Sequence, residues 1–149
     1  MTGVDPAAFA PVAVTTRSGF RESVHFGAGV ALAADGSIAA AVGDPDVVIF
    51  PRSANKPLQA QAMLDLGWAP TPAQLALACA SHAGTPGHTA VVETTLAAAG
   101  LSVASLANTP ALPLDEDAAR TAIRAGGPSS LLQNCSGKHA AMLATCVIN

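Results

Sequence analysis

Glycine and proline punctuation constrains this chain most, because before residue 50 no stretch between breaks exceeds seven residues, whereas after it several run to eleven or twelve. Ahead of that point the stretches between breaks are short. Residues up to about Pro11 read as a loose leader, and the β-branched run Val12 to Thr16 reads as a first strand. Ser23 to Ala33 and Ser37 to Val42 are strand-like and flank Asp35-Gly36, a two-residue turn signal, so a hairpin is expected there. Gly43-Asp44-Pro45-Asp46 breaks the chain again. Val47 to Phe50 then reads as a short buried strand that delivers Pro51-Arg52-Ser53.

The later breaks carry the chemistry of helix starts and stops. A helix is expected from Ser53 to about Leu66, closed by Gly67, with Pro57 near the first turn where few intrahelical bonds are owed. Thr71-Pro72-Ala73-Gln74 supplies a capping threonine, a proline at the first helical position and a glutamine suited to a capping box. The helix it opens is expected to run to Ser81-His82 and end at Gly84. A third begins near Thr85-Pro86 and closes at Gly100. A fourth has Asp115, Glu116 and Asp117 in its first turn and Arg120 and Arg124 further on, the charge order that suits the helix dipole. Gly126-Gly127-Pro128 stops it, and Ala140 to Ile148 is an apolar helical run. Strands first and helices after them make an α+β chain.

Half of the 149 residues are apolar and only 11% are charged, less than half the usual charged share. That is enough apolar material for a core. A net charge of −3 without a basic patch argues against nucleic acid as a partner. No apolar run reaches the length of a membrane span, and Asp5-Pro6 stand where a signal peptide would be basic and then apolar, so a cytoplasmic protein is the default expectation. Cys79, Cys135 and Cys146 form an odd set with no close pair, which does not suggest a disulfide framework. Cys79 and Cys146 lie among apolar neighbours and are expected in the core.

The chemistry-bearing residues cluster. Ser53 precedes Lys56 by three positions at the expected helix start, which places the amine within hydrogen-bond reach of the hydroxyl if Ser53 caps the helix. A lysine amine kept neutral part of the time activates a serine, and a helix N-terminus favours the negative charge that develops. With ten serines and two lysines in the chain, such a spacing arises by chance about one time in eight, so alone it reads equally as a cap and a solvated lysine. Yet both lysines sit in dense polar clusters, the second in Cys135-Ser136-Gly137-Lys138-His139. A third cluster, Ser81-His82-Ala83-Gly84-Thr85-Pro86-Gly87-His88, adds a hydroxyl and imidazoles.

Arg52-Ser53-x-x-Lys56-Pro57-x-Gln59, Ser81-His82-x-Gly84-x-Pro86-x-His88 and Cys135-Ser136-Gly137-Lys138-His139-Ala140 together resemble the bacterial asparaginase II family, the thermolabile rhizobial type. Glu22-Ser23-Val24-His25-x-Gly27 and Gly43-Asp44-Pro45 match its N-terminal pattern. The resemblance covers almost the whole chain in the family's order, and members of the family are about twice as long. It implies hydrolysis of L-asparagine to L-aspartate and ammonia, on a sheet with helices on both faces similar to the serine β-lactamase and glutaminase fold. It further implies that Ser53 with Lys56 is one catalytic pair, that Ser81 is the serine of a second, and that Cys135 and Lys138 are two of three zinc ligands. A homodimer is implied for the full-length form. Arg52 and His82 are candidates to hold substrate carboxylate or amide groups. Asn134 and Ser136 are caps or pocket-lining residues, and His139 is expected to bind substrate with them. Ala83 and Thr85 depart from the family, which usually has serine and glutamate there; His25 and His88 are expected to pack or cap.

Met142 to Ile148 is uncharged and calls for burial on several sides, so residues 1–149 are expected to be the N-terminal part of a single domain whose C-terminal half, with the second lysine and second cysteine, lies beyond Asn149. Two other readings stand beside the asparaginase. The penicillin-binding and β-lactamase class shares the serine-x-x-lysine helix but wants a Lys-Thr-Gly strand that does not occur here. A non-catalytic fragment or binding protein is the third, since part of the implied machinery is absent.

Overall fold

The structure, a computed structural model, describes residues 3–149, so the first two residues of the expected leader lie outside it. The chain divides into two compact units, Met1–Phe50 and Pro51–Asn149. It is α+β, with its strands in the first unit and its helices in the second.

In the first unit Pro6–Ala8 form a 3₁₀ turn capped by the Asp5 carboxylate, which accepts the Ala7 N–H at 2.9 Å. Strands β1 (Ala10–Arg17) and β2 (Phe20–Gly27) pair antiparallel about Ser18-Gly19, both at positive φ as a tight two-residue turn requires. Strands β3 (Gly29–Leu32) and β4 (Ile38–Val42) pair antiparallel about the expected Asp35-Gly36 turn, where the Asp35 carboxylate accepts the Ser37 N–H and O–H. The stretch Ser23 to Ala33 is therefore not one strand: it divides at Ala28, one part pairing back with β1 and the other onward with β4. The described strands pair only two by two. Val47 to Phe50 forms no strand, because it finds no ladder partner, and Val48 and Phe50 are almost fully exposed.

The second unit is a helical assembly around its last helix. It contains α1 (Lys56–Asp65), α2 (Pro72–Cys79), α3 (Pro86–Ala98), α4 (Glu116–Arg124) and α5 (Ser136–Ile148). The capping box at Thr71 and Gln74 forms as its residues require, each side chain bonding the other's backbone N–H. Helix α2 stops at Cys79, earlier than expected, because Ala80 turns to extended backbone and frees Ser81 and His82 for other contacts. Small residues let the helices approach closely. Ala60, Met63, Trp68, Ala78, Ala141 and Ala144 form one buried cluster, and Leu77, Val92, Leu96, Leu106 and Ala140 form another. A Cβ on Gly137 would come within 2.8 Å of the Leu77 side chain, so the start of α5 sits directly on α2. Cys79 packs against the first cluster, but Cys146 is exposed: it falls two residues beyond Ala144, on the opposite face of α5.

Candidate active site

The site begins with a lysine that water does not reach. Lys56 opens α1 and is 2% exposed. Its Nζ donates to the Ala80 carbonyl at 2.6 Å, to Ser81 Oγ at 2.9 Å and to Cys135 Sγ at 3.2 Å, so the three hydrogens of the ammonium find three acceptors. Ala80 is the C-cap of α2, where carbonyls lack intrahelical partners and the helix dipole is negative. That end of α2 compensates the buried cation. Among the described residues the ion pairs are Arg17–Glu22, Arg120–Glu116 and Arg120–Asp117, so no carboxylate serves Lys56.

The expected cap and contact of Ser53 take a different form. Arg52–Asn55 make a 3₁₀ turn with Arg52 at φ 51°, and no side chain caps α1. Lys56 meets Ser81 instead, and Ser81 Oγ lies 3.3 Å from Ser53 Oγ. A run Lys56–Ser81–Ser53 results, leading from a buried amine to an exposed hydroxyl. Sequence spacing showed which residues share a side of a helix, but not the carbonyl end of another helix that draws the lysine inward.

Beside this run is a second hydrogen-bonded set. His82 Nδ1 accepts the Gly84 N–H at 3.1 Å, which leaves Nε2 as the protonated nitrogen; it lies 2.9 Å from Ser136 Oγ, and Ser136 donates to the Leu131 carbonyl at 2.7 Å. Burial, then the charges of His88 and Lys56, push His82 down to about 4. His88 stacks on it with ring centres 5.5 Å apart and engages Thr85 Oγ1 at 2.9 Å. Gly84, at φ 78°, has no room for a side chain: a Cβ would stand 2.9 Å from Pro113 Cβ and 3.1 Å from the Leu132 carbonyl. The Asp115 N–H donates to the Ala83 carbonyl at 2.9 Å, fixing the loop from that side.

Cys135 is half-buried at the start of α5. Its N–H donates to Gln133 Oε1 at 2.9 Å, and its Sγ lies 3.4 Å from Asn134 Oδ1. Thus Ser53, Lys56, Ser81 and Cys135 come together, with Asn134, His82 and Ser136 packed behind them. Arg52 is exposed, and its side chain makes no hydrogen bond among the described residues. His139 lines a separate cavity of about 270 Å³ with Asn108, Met142, Leu143 and Cys146, and burial first, then Lys138 and Lys56, holds it below the usual imidazole range. The residue-level signals missed the Ala80 and Leu131 carbonyls, which any residue type supplies. Gln133, which also accepts from Asn108 Nδ2 at 3.3 Å, was missed as well, although a polar residue just before a helix start is a signal that marks it.

The donor set does not complete a zinc site. Cys135 and Lys138 offer two ligands where even an open catalytic zinc takes three, Cys135 Sγ is engaged by Lys56, and no group of three His, Cys, Asp or Glu gathers among the described residues.

A serine joined through a second hydroxyl to a buried lysine is equipment for acyl transfer from an amide or ester. The chain belongs to the L-asparaginase II family, whose model matches residues 13–149. A search of the curated proteins finds no match. The sequence-based resemblance and the asparaginase-type function it implied are thereby supported at the level of the family.

Proposed function

We propose that this protein hydrolyses the side-chain amide of L-asparagine to L-aspartate and ammonia. Ser53 is the nucleophile and Lys56, acting in its neutral amine form after the ammonium has given up one proton, is the base, joined by Ser81. The Lys56–Ser81–Ser53 run is the observation that carries this reading. As Ser53 Oγ attacks the amide carbon, its proton moves to Ser81, whose own proton moves to Lys56. The same path returned delivers a proton to the leaving nitrogen, so ammonia departs and an ester remains on Ser53. Water enters by that route and releases L-aspartate. Arg52 beside Ser53 supplies a cation for the substrate carboxylate. A cytoplasmic setting and a homodimer belong to the same reading; the three free cysteines suit a reducing compartment, and no helix among the described residues is long and apolar enough to cross a membrane.

The test is ammonia release from L-asparagine by the 149-residue chain and by a form extended past Asn149, each with Ser53→Ala and Ser81→Ala. Loss of release in both variants supports the relay. Release that survives Ser53→Ala but not Ser81→Ala makes Ser81 the nucleophile. No ammonia from either parent form, with a β-lactam adduct on Ser53 in the mass spectrum, moves the protein to the penicillin-binding class.

A further inference from the structure

Ser81 and Cys135, two of the three partners of Lys56 Nζ, are brought to it from distant parts of the chain. The residue that follows each of them is bonded to the residue that follows the other, His82 Nε2 to Ser136 Oγ at 2.9 Å. A second rung lies beside the first: the His82 N–H donates to the Asn134 carbonyl at 3.0 Å. Both ring nitrogens of His82 are in use, His82 is 3% exposed and Ser136 0%, and the Ser136 hydroxyl takes one hydrogen bond and gives another. Neither side chain has a surface or a free donor to offer a substrate.

We infer that His82 is a positioning residue: through Ser136 it sets the separation of Ser81 and Cys135 around the Lys56 amine. This replaces the sequence-based expectation that both bind substrate. A two-rung tie next to the reacting hydroxyl holds Ser81 in line between Lys56 and Ser53, where displacements near an ångström change rates severely. The effect on turnover rests on the asparaginase reading; the effect on Cys135 does not.

The decisive experiment compares the parent protein with Ser136→Ala and His82→Leu, which break the tie, and with His82→Gln, whose amide keeps a donor near the Nε2 position. Iodoacetamide labelling rates at each cysteine are read by mass spectrometry. In the two breaking variants Cys135 is expected to react roughly five-fold faster, while Cys79 and Cys146 change less than about two-fold, and His82→Gln returns Cys135 toward the parent rate. Ammonia release is expected to lose about ten-fold or more in kcat with KM within about two-fold. Unchanged Cys135 labelling overturns the inference, as does a general acceleration at all three cysteines, which marks mere loosening. A rise in KM at constant kcat also overturns it, by making His82 a substrate contact. Should the parent release no ammonia, the labelling still decides the positioning role while the asparaginase reading falls alone. If the breaking variants do not fold, ring-labelled parent protein decides by nitrogen NMR: the Nε2–H tautomer of His82 supports the tie, and the Nδ1–H tautomer overturns it.

Discussion

Residues 3–50 and residues 51–149 hold their structure by different means. The first unit relies on ladders and tight turns, and none of its described residues is buried; Phe26 and Leu32 are 61% and 62% exposed. Every buried residue described lies at or after Lys56. Two-stranded ribbons without a covered face are marginal in water, whereas the helical unit has a core able to desolvate a lysine and a histidine. Hydrogen-bonded backbone suffices to shape a ribbon. Only burial makes a reactive site, because it removes the water that would otherwise compete for Lys56 and His82.

The sharpest way to separate site from scaffold within the second unit is Lys56→Met. Ammonia release is expected to fall by about a thousand-fold or more, some 4 kcal/mol in barrier, with the helical circular dichroism retained. Unfolding instead of inactivation would mean that the lysine is there for structure. Next in size, Leu96→Ala, at a fully buried position, is expected to cost about 3 kcal/mol in denaturant titration.

A pH series probes the desolvated histidines. Between about pH 4 and 6.5 the unfolded chain binds a proton on His82 that the folded protein refuses, so stability falls as pH is lowered through this window. The drop is expected to be on the order of 2 to 3 kcal/mol, with His139 acting in the same direction, and His82→Gln should remove most of it. A flat profile would show that water reaches His82. The smallest effect expected is that of Leu32→Ala, within about 0.5 kcal/mol. A cost near that of Leu96→Ala would break the comparison by showing that the ribbon face is covered in solution.

How legible each part was follows from how local its cause is. The Asp35-Gly36 hairpin, the capping box at Thr71 and Gln74, the charge order of α4 and the start of α3 are written in a few neighbouring residues, and each forms where expected, whereas α5 begins at Ser136, one turn ahead of the expected apolar run from Ala140. The Ser18-Gly19 turn is just as local, since its glycine tolerates the positive φ the turn needs. Val47 to Phe50 looked like a strand because its residues favour one, yet a strand also needs a partner edge.

The site divides along the same line. Residue types and their order placed the serines, lysine, histidines and cysteine in three clusters, and the family follows from that order. Spacing suggested that Lys56 serves Ser53; the fold gives it Ser81, Cys135 and the carbonyl of Ala80. By itself, then, the sequence determined the hairpins, the helix starts and which reactive groups the protein owns. Tertiary structure decided which of them meet, because the partner of a buried cation is chosen by the carbonyls and hydroxyls that packing brings within about 3 Å, and these lie far away along the chain.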